Sequence, residues 1–432
     1  MNNSNRNRST RRFELKFKRR QIRAFFLLLI VFALAYISGN KSIMFVTASV
    51  MGIYTIMVAK FSFFSIFNFI LWFNLLQEFI ASIDVYFAGG MLWGHRGVPI
   101  YYKELFVCIE IFYLTELLIF ATSSVLENER KMYLQNIRME YIVAIGICVG
   151  ALLLIFLSYP SLPSLSGRLS RNEGFILSER WAPIALFLIA TTYDSAMKHK
   201  SLSLLWGISI LWILFHGERV AVFGFLVYIM LKYVNTTNRL DVSLIKMLIK
   251  GNILKIAIIG IAIVLLGVYL QYSRMGESGE FTLKKIYAQG TACDVVYVFN
   301  CSVDMWKKGN LYHGYTLLNY LTFWIPGMSG MTNNVYAPAI LIQKDYFTVG
   351  GGLFFVEPIM NFGLWGVFPY SYIYIMLLCL VLSKPSRYMA IFWIPFVTTI
   401  FRTTWYCGPD AWSFMSLYLT PVIFFATRKF AI

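Results

Sequence analysis

Apolar runs of membrane-crossing length alternate with short charged stretches along almost the whole chain. A bilayer core about 30 Å thick takes roughly 20 apolar residues per helix, so each run reads as a span. The runs fall near 24–38, 43–59, 61–83, 104–123, 141–158, 182–197, 202–217, 219–234, 253–270, 355–382, 389–401 and 411–427, about twelve helices. Several are short for that thickness, which tilting absorbs. Only Gly39, Asn40, Lys41 and Ser42 separate the first two. One long polar interruption, 271–354, parts the ninth run from the tenth. The expected fold is an all-α polytopic membrane protein. It has a basic tail (1–23), a bundle of nine spans (24–270), a long external loop (271–354), and three last spans with a short tail (355–432).

Composition agrees, since 58% hydrophobic residues exceeds what a soluble domain of this size carries. The net charge of +17 raises nucleic acid as a partner. The basic residues sit in short stretches between apolar runs instead, so no nucleic acid is expected. Arg6, Arg8, Arg11, Arg12, Lys16, Lys18, Arg19, Arg20 and Arg23 stand against Glu14 alone, which keeps the start cytoplasmic. No small-residue cleavage site follows, so it does not read as a cleaved signal peptide. Alternating sides from there makes 127–140, 198–200, 232–250, 383–387 and the final basic pair cytoplasmic, both termini included. Residues 271–354 come out on the outer face.

Several chemistries lack their signatures. There is neither a Gly-x-x-x-x-Gly-Lys-Ser/Thr loop nor an Asp-x-Asp pair, so nucleotide hydrolysis and metal-dependent use of nucleotide sugars find no support. No Cys/His cluster has metal-ligand spacing. Cys108, Cys148 and Cys379 lie in apolar runs as small core residues. Cys293 and Cys301 lie in the external loop, where an oxidising compartment would permit a disulfide. Glu78, Glu110 and Glu116 fall inside spans. They mark either a proton or substrate path or pairs satisfied within the bundle.

Arginine is the informative residue type of the outer face. Arg171 and Arg180 occupy the second external loop, Arg219 opens the eighth span, and Arg274 follows the ninth. A guanidinium stays charged and its planar fork matches paired phosphate oxygens. Converging arginines would suit a pyrophosphate whose lipid tail stays in the bilayer; alternatively each pairs with Glu173, Glu179, Glu218 or Glu277. Glu357, at the outer edge of the tenth span beyond Gly350–Gly352, is a candidate general base. It is equally a helix-entry carboxylate before Pro358. His313 is the second candidate base. Apolar positions from Leu283 to Trp306 predict a helix lying on the membrane or the bundle.

These residues resemble those of the Wzy-type O-antigen (oligosaccharide repeat-unit) polymerases of the bacterial inner membrane. The likeness rests on the span count with one dominant late external loop, and on three segments. Phe215-His-Gly-Glu-Arg219 is similar to that family's Gly-x-Arg segment. Arg171-Asn-Glu-Gly174 is similar to its Arg–Gly element. Gly351-Gly-Leu-Phe-Phe-Val-Glu357-Pro-Ile-Met-Asn361-Phe-Gly363 resembles its closing segment. Trp181-Ala-Pro departs from the family pattern after the second loop. The resemblance implies a metal-independent glycosyltransferase without cofactor, working at the periplasmic face in lipopolysaccharide biosynthesis. A glycan on undecaprenyl pyrophosphate would pass to a new lipid-linked repeat unit, with a chain-length regulator (a polysaccharide co-polymerase) as partner. It assigns Arg219 and Arg274 to pyrophosphate, Arg171 and Arg180 to support, and Glu357 or His313 to the base. Tyr312, Tyr315, Tyr336 and Trp324 become sugar-stacking faces, and Asn361 a substrate contact. An O-antigen ligase and a lipid-linked oligosaccharide flippase are the alternatives.

Overall fold

The computed structural model describes residues 3–83, 97–162, 174–176, 178–216, 218–236, 290–317, 338–348, 351–406 and 415–428. The described chain is all-helical and divides into two compact units. Seven helical segments are long and apolar enough to cross a membrane: Arg19–Ser38, Lys41–Ala59, Phe63–Ile83, Tyr102–Thr122, Tyr141–Ser158, Arg219–Thr236 and Val356–Leu382. Two shorter apolar helices, Trp181–Thr191 and Lys200–Phe215, match the sixth and seventh expected spans. The expected span at 253–270 lies outside the described residues.

The first unit comprises 1–129, 291–316 and 338–383. Helix α1 (Asn3–Ser38) carries the basic tail into the first span without a break. Gly39 turns the chain at φ 63°, and the Asn40 side chain caps α2 (Lys41–Ala59) by accepting from the backbone N–H groups of Ser42 and Ile43. Helix α3 (Phe63–Ile83) and helix α4 (Tyr102–Thr122) complete a four-helix core, with α4 at its centre. Phe67 stacks on Phe112 with ring centroids 5.2 Å apart, and Phe354 meets both edge-on.

Carboxylates within these apolar helices need partners. Asn68 donates to Glu116 at 2.5 Å, and Glu129, in the first half of α5 (Val125–Leu134), accepts from the Phe63 backbone N–H at 2.7 Å. Glu110 has no hydrogen-bond partner on either oxygen among the described residues.

The second unit comprises 130–290, 317–337 and 384–432. Its helices are α6 (Tyr141–Ser158), α7 (Ser178–Thr191), α8 (Tyr193–Ala196), α9 (Lys200–Phe215) and α10 (Arg219–Thr236). Lys232, expected to open a cytoplasmic loop, is instead buried in α10. Its ammonium pairs with Asp194 at 3.3 Å and donates to the Gln135 carbonyl at 2.6 Å. A lysine in such a place is stable only because both partners are present.

The chain returns to the first unit through α11 (Gly290–Lys307), α12 (Pro338–Asp345), α13 (Val356–Phe362) and α14 (Val367–Leu382). The helix expected before Trp306 is present as α11, and of its two expected placements it takes the one against the bundle, since nearly every side chain from Ala292 to Met305 is buried. Its polar positions have internal partners: Cys293 donates to Gln77 at 3.2 Å and Asn300 to Glu78 at 3.1 Å. The Cys293–Cys301 disulfide is absent, and both residues are unbridged thiols. Eight residues of one helix separate the two by roughly 12 Å along its axis, beyond the reach of an S–S bond.

The expected span 355–382 is broken between α13 and α14 by a 3-10 turn, Gly363–Gly366. Gly363 adopts φ 63°, and a Cβ there would strike the Trp306 indole, so this position needs glycine.

The second unit closes with α15 (Arg387–Thr398), α16 (Ile400–Trp405) and α17 (Thr420–Arg428). The Thr399 hydroxyl bonds the Pro395 carbonyl at 2.7 Å where the expected 389–401 span is interrupted. Helices α10 and α15 touch at Gly224, where any Cβ would collide with the Thr398 carbonyl. Gly224→Ala is expected to cost about 1–3 kcal/mol by overpacking. Gly207→Ala, with open space around it, is expected to be neutral or stabilising. Thermal unfolding of the detergent-solubilised variants checks this; equal midpoints for the two would refute the close approach.

Candidate functional site

The first unit gathers five of the sequence-predicted residues into one cluster. Helix α11 ends at Lys307, and a turn then runs through Tyr312, His313, Gly314 and Tyr315 to Thr316. Helix α13 supplies Glu357 and Asn361, one helical turn apart. The two segments are joined by backbone and side chain together. The Tyr312 backbone N–H donates to the Met360 carbonyl at 2.9 Å, and the Gly314 N–H to Asn361 Oδ1 at 2.8 Å. Asn361 Nδ2 donates to Thr316 Oγ1 at 2.5 Å and to the Glu357 carbonyl at 2.8 Å. The Thr316 hydroxyl donates in turn to Glu357 Oε1. Glu357, Asn361 and Thr316 are fully buried, whereas His313 and Tyr315 are exposed and Tyr312 is half-buried. Burial raises the Tyr312 phenol, with a smaller contribution from the Asp345 charge.

A second polar group lies at the carboxyl end of α11. Asp304 accepts from the Tyr101 hydroxyl at 2.8 Å and from the Tyr346 hydroxyl at 2.5 Å, and pairs with Lys308 at 2.6 Å. Lys307 pairs with Glu104 at 2.5 Å and lies over the Tyr101 ring. Burial alone would raise the Asp304 carboxyl. The hydrogen bonds from Lys308, Tyr346 and Tyr101 outweigh it and hold the group below the ordinary carboxylate range. Tyr346 is pushed up to about 12 by burial and by its bond to Asp304.

No protein family, curated protein or solved structure matches this chain.

Arg219 belongs to the second unit, half-buried at the start of α10. Its sequence neighbour Glu218 is buried and pairs with Arg402 of α16 at 3.2 Å. Sequence reasoning missed Arg402, whose only signal was a cation at the end of an apolar run. Two residues before Glu218, His216 is locked in place: Nδ1 lies 2.7 Å from the Trp212 carbonyl and Nε2 2.9 Å from that of Ser161. Arg171, Arg274 and Tyr336 lie outside the described residues, as does the side chain of Arg180. Thr316 and Asp304 were missed too, because neither residue type stands out until its partners are known.

A carboxyl held below its unfolded value contributes stability that is complete above roughly pH 4 and lost as pH falls through the folded value. Asp304→Asn is therefore expected to lower the thermal midpoint at neutral pH and to flatten its decline in acid. Midpoints measured between about pH 3 and 7 check this; superimposable curves would remove Asp304 from the account.

Proposed function

We propose that this protein is a lipid-linked-donor glycosyltransferase of the O-antigen polymerase type. Its acceptor's terminal hydroxyl oxygen attacks the anomeric carbon of a glycan carried on undecaprenyl pyrophosphate. The bond from that carbon to the diphosphate breaks, the diphosphate leaves with the electron pair, and the hydroxyl proton passes to a side chain of the first unit. The observation that carries the reading is the union of Glu357 and Asn361 with the Tyr312–Thr316 turn. It gives a proton acceptor beside the exposed Tyr315 and the half-buried Tyr312, whose rings are suited to sugars. Seven membrane-length helices support a lipid-borne substrate.

In this reading Arg219 keeps the role that the resemblance gives it, acting on charge developing at the leaving diphosphate. Arg274, Arg171 and Arg180 keep the roles that the resemblance gives them. About twelve spans, an inner-membrane location, a periplasmic active face and a chain-length regulator belong to the same proposal.

Deletion of the gene in its own strain, read on a lipopolysaccharide gel, tests it. The expected result is core bearing a single repeat, with the ladder restored by the wild-type gene and weakened at least tenfold by Arg219→Ala or Arg274→Ala. Loss of the single-repeat band as well would point to a ligase or flippase and overturn the polymerase.

A further inference from the structure

Resting on that reading, we infer that His313 is the group that accepts the hydroxyl proton. The buried Glu357–Thr316–Asn361 chain holds it in position and does not itself act as the base. Glu357 has no exposed surface, and Thr316 stands on its Oε1. A carboxylate so enclosed cannot reach an incoming hydroxyl without dismantling the bonds that join α13 to the turn. His313 is exposed at the crest of that turn.

The backbone shows what the chain of bonds achieves. His313 adopts φ 48°, a left-handed conformation that a side chain bearing a Cβ seldom takes. Gly314 follows at φ 94°. Strain of this kind persists only where surrounding contacts over-determine it, and here they bracket the histidine. Tyr312 is tied to Met360 on one side, Gly314 to Asn361 on the other. The Asn361 amide is oriented by Thr316 and by the Glu357 backbone carbonyl. Donor and acceptor roles run consistently from Gly314 N–H to Asn361, to the Thr316 hydroxyl, and end on the Glu357 carboxylate. Glu357 is thus the terminal acceptor that fixes the direction of every bond before it. Thr316 is the new member, a positioning residue that no sequence signal marked.

In transfer, the hydroxyl proton moves to an imidazole ring nitrogen as the new glycosidic bond forms, and from there to bulk water. Both atoms and charge balance with no further reactant.

The test uses the full chain in its native strain, with its gene deleted and variants returned at matched membrane levels. The substrate is the cell's own lipid-linked repeat unit. Asparagine tolerates the left-handed region, so His313→Asn is expected to fold yet slow elongation about a hundredfold or more, leaving single-repeat core. His313→Gly is expected to regain the ladder when imidazole is added outside the cells, which a purely structural loss would not do. Glu357→Gln keeps an oxygen for Thr316 and is expected to stay within about tenfold of wild type, whereas Glu357→Leu loses the ladder. Thr316→Ser is expected to work and Thr316→Val to fail. A full ladder from His313→Asn, or Glu357→Gln as inactive as Glu357→Leu, overturns the assignment. Failure of the wild-type gene to restore any ladder would instead refute the polymerase itself.

Discussion

A polar atom taken out of water must find a partner, and in an apolar helix that partner has to come from elsewhere in the chain. This constraint shapes both units. In the first, Asn68 serves Glu116, Asn300 serves Glu78, and Thr316 serves Glu357. In the second, Asp194 balances Lys232 and Arg402 balances Glu218. None of these pairs is local in sequence. Each therefore fixes how one helix lies against another more sharply than leucine and phenylalanine packing would, because an apolar contact can slide whereas parting a buried charged group from its partner is costly.

The same constraint explains why the candidate site is rigid where it is buried and open where it is exposed. Helix α13 has only seven residues, too few to be stable alone, and the left-handed turn beside it is strained. Each is held by the other. Asn361 offers its amide to both segments at once, and Glu357 closes the chain of donors. Trp306 rests against Gly363, anchoring the end of α13 to the end of α11. The tyrosines and the histidine project from a frame whose bonds are entirely internal.

Legibility in the sequence followed the range of the interaction. Helices announced by apolar runs appear where the runs were read, from Lys41–Ala59 through Arg219–Thr236, since the cost of unpaired backbone in an apolar setting leaves helix as the answer. Asn40 and Ser386 cap α2 and α15, their side chains accepting from backbone N–H groups two or three residues on. The breaks inside 355–382 and 389–401 were not legible. One depends on Trp306 approaching Gly363, the other on threonine hydroxyls near Pro395. Helix α11 was legible as a helix but not in its depth, because its mix of polar and apolar residues reads the same on a membrane surface as in a core whose polar positions are matched.

Sequence alone determined an all-helical chain with membrane-length helices, and singled out His313, Glu357, Asn361 and Arg219 as residues with chemistry to offer. Those are properties of residue type and local period. Only the tertiary structure decided that Glu357 is enclosed while His313 is presented, that Glu218 holds Arg402, and that Thr316 links two segments. Burial and pairing are relations between distant positions, and a linear string does not carry them until the chain has folded back on itself.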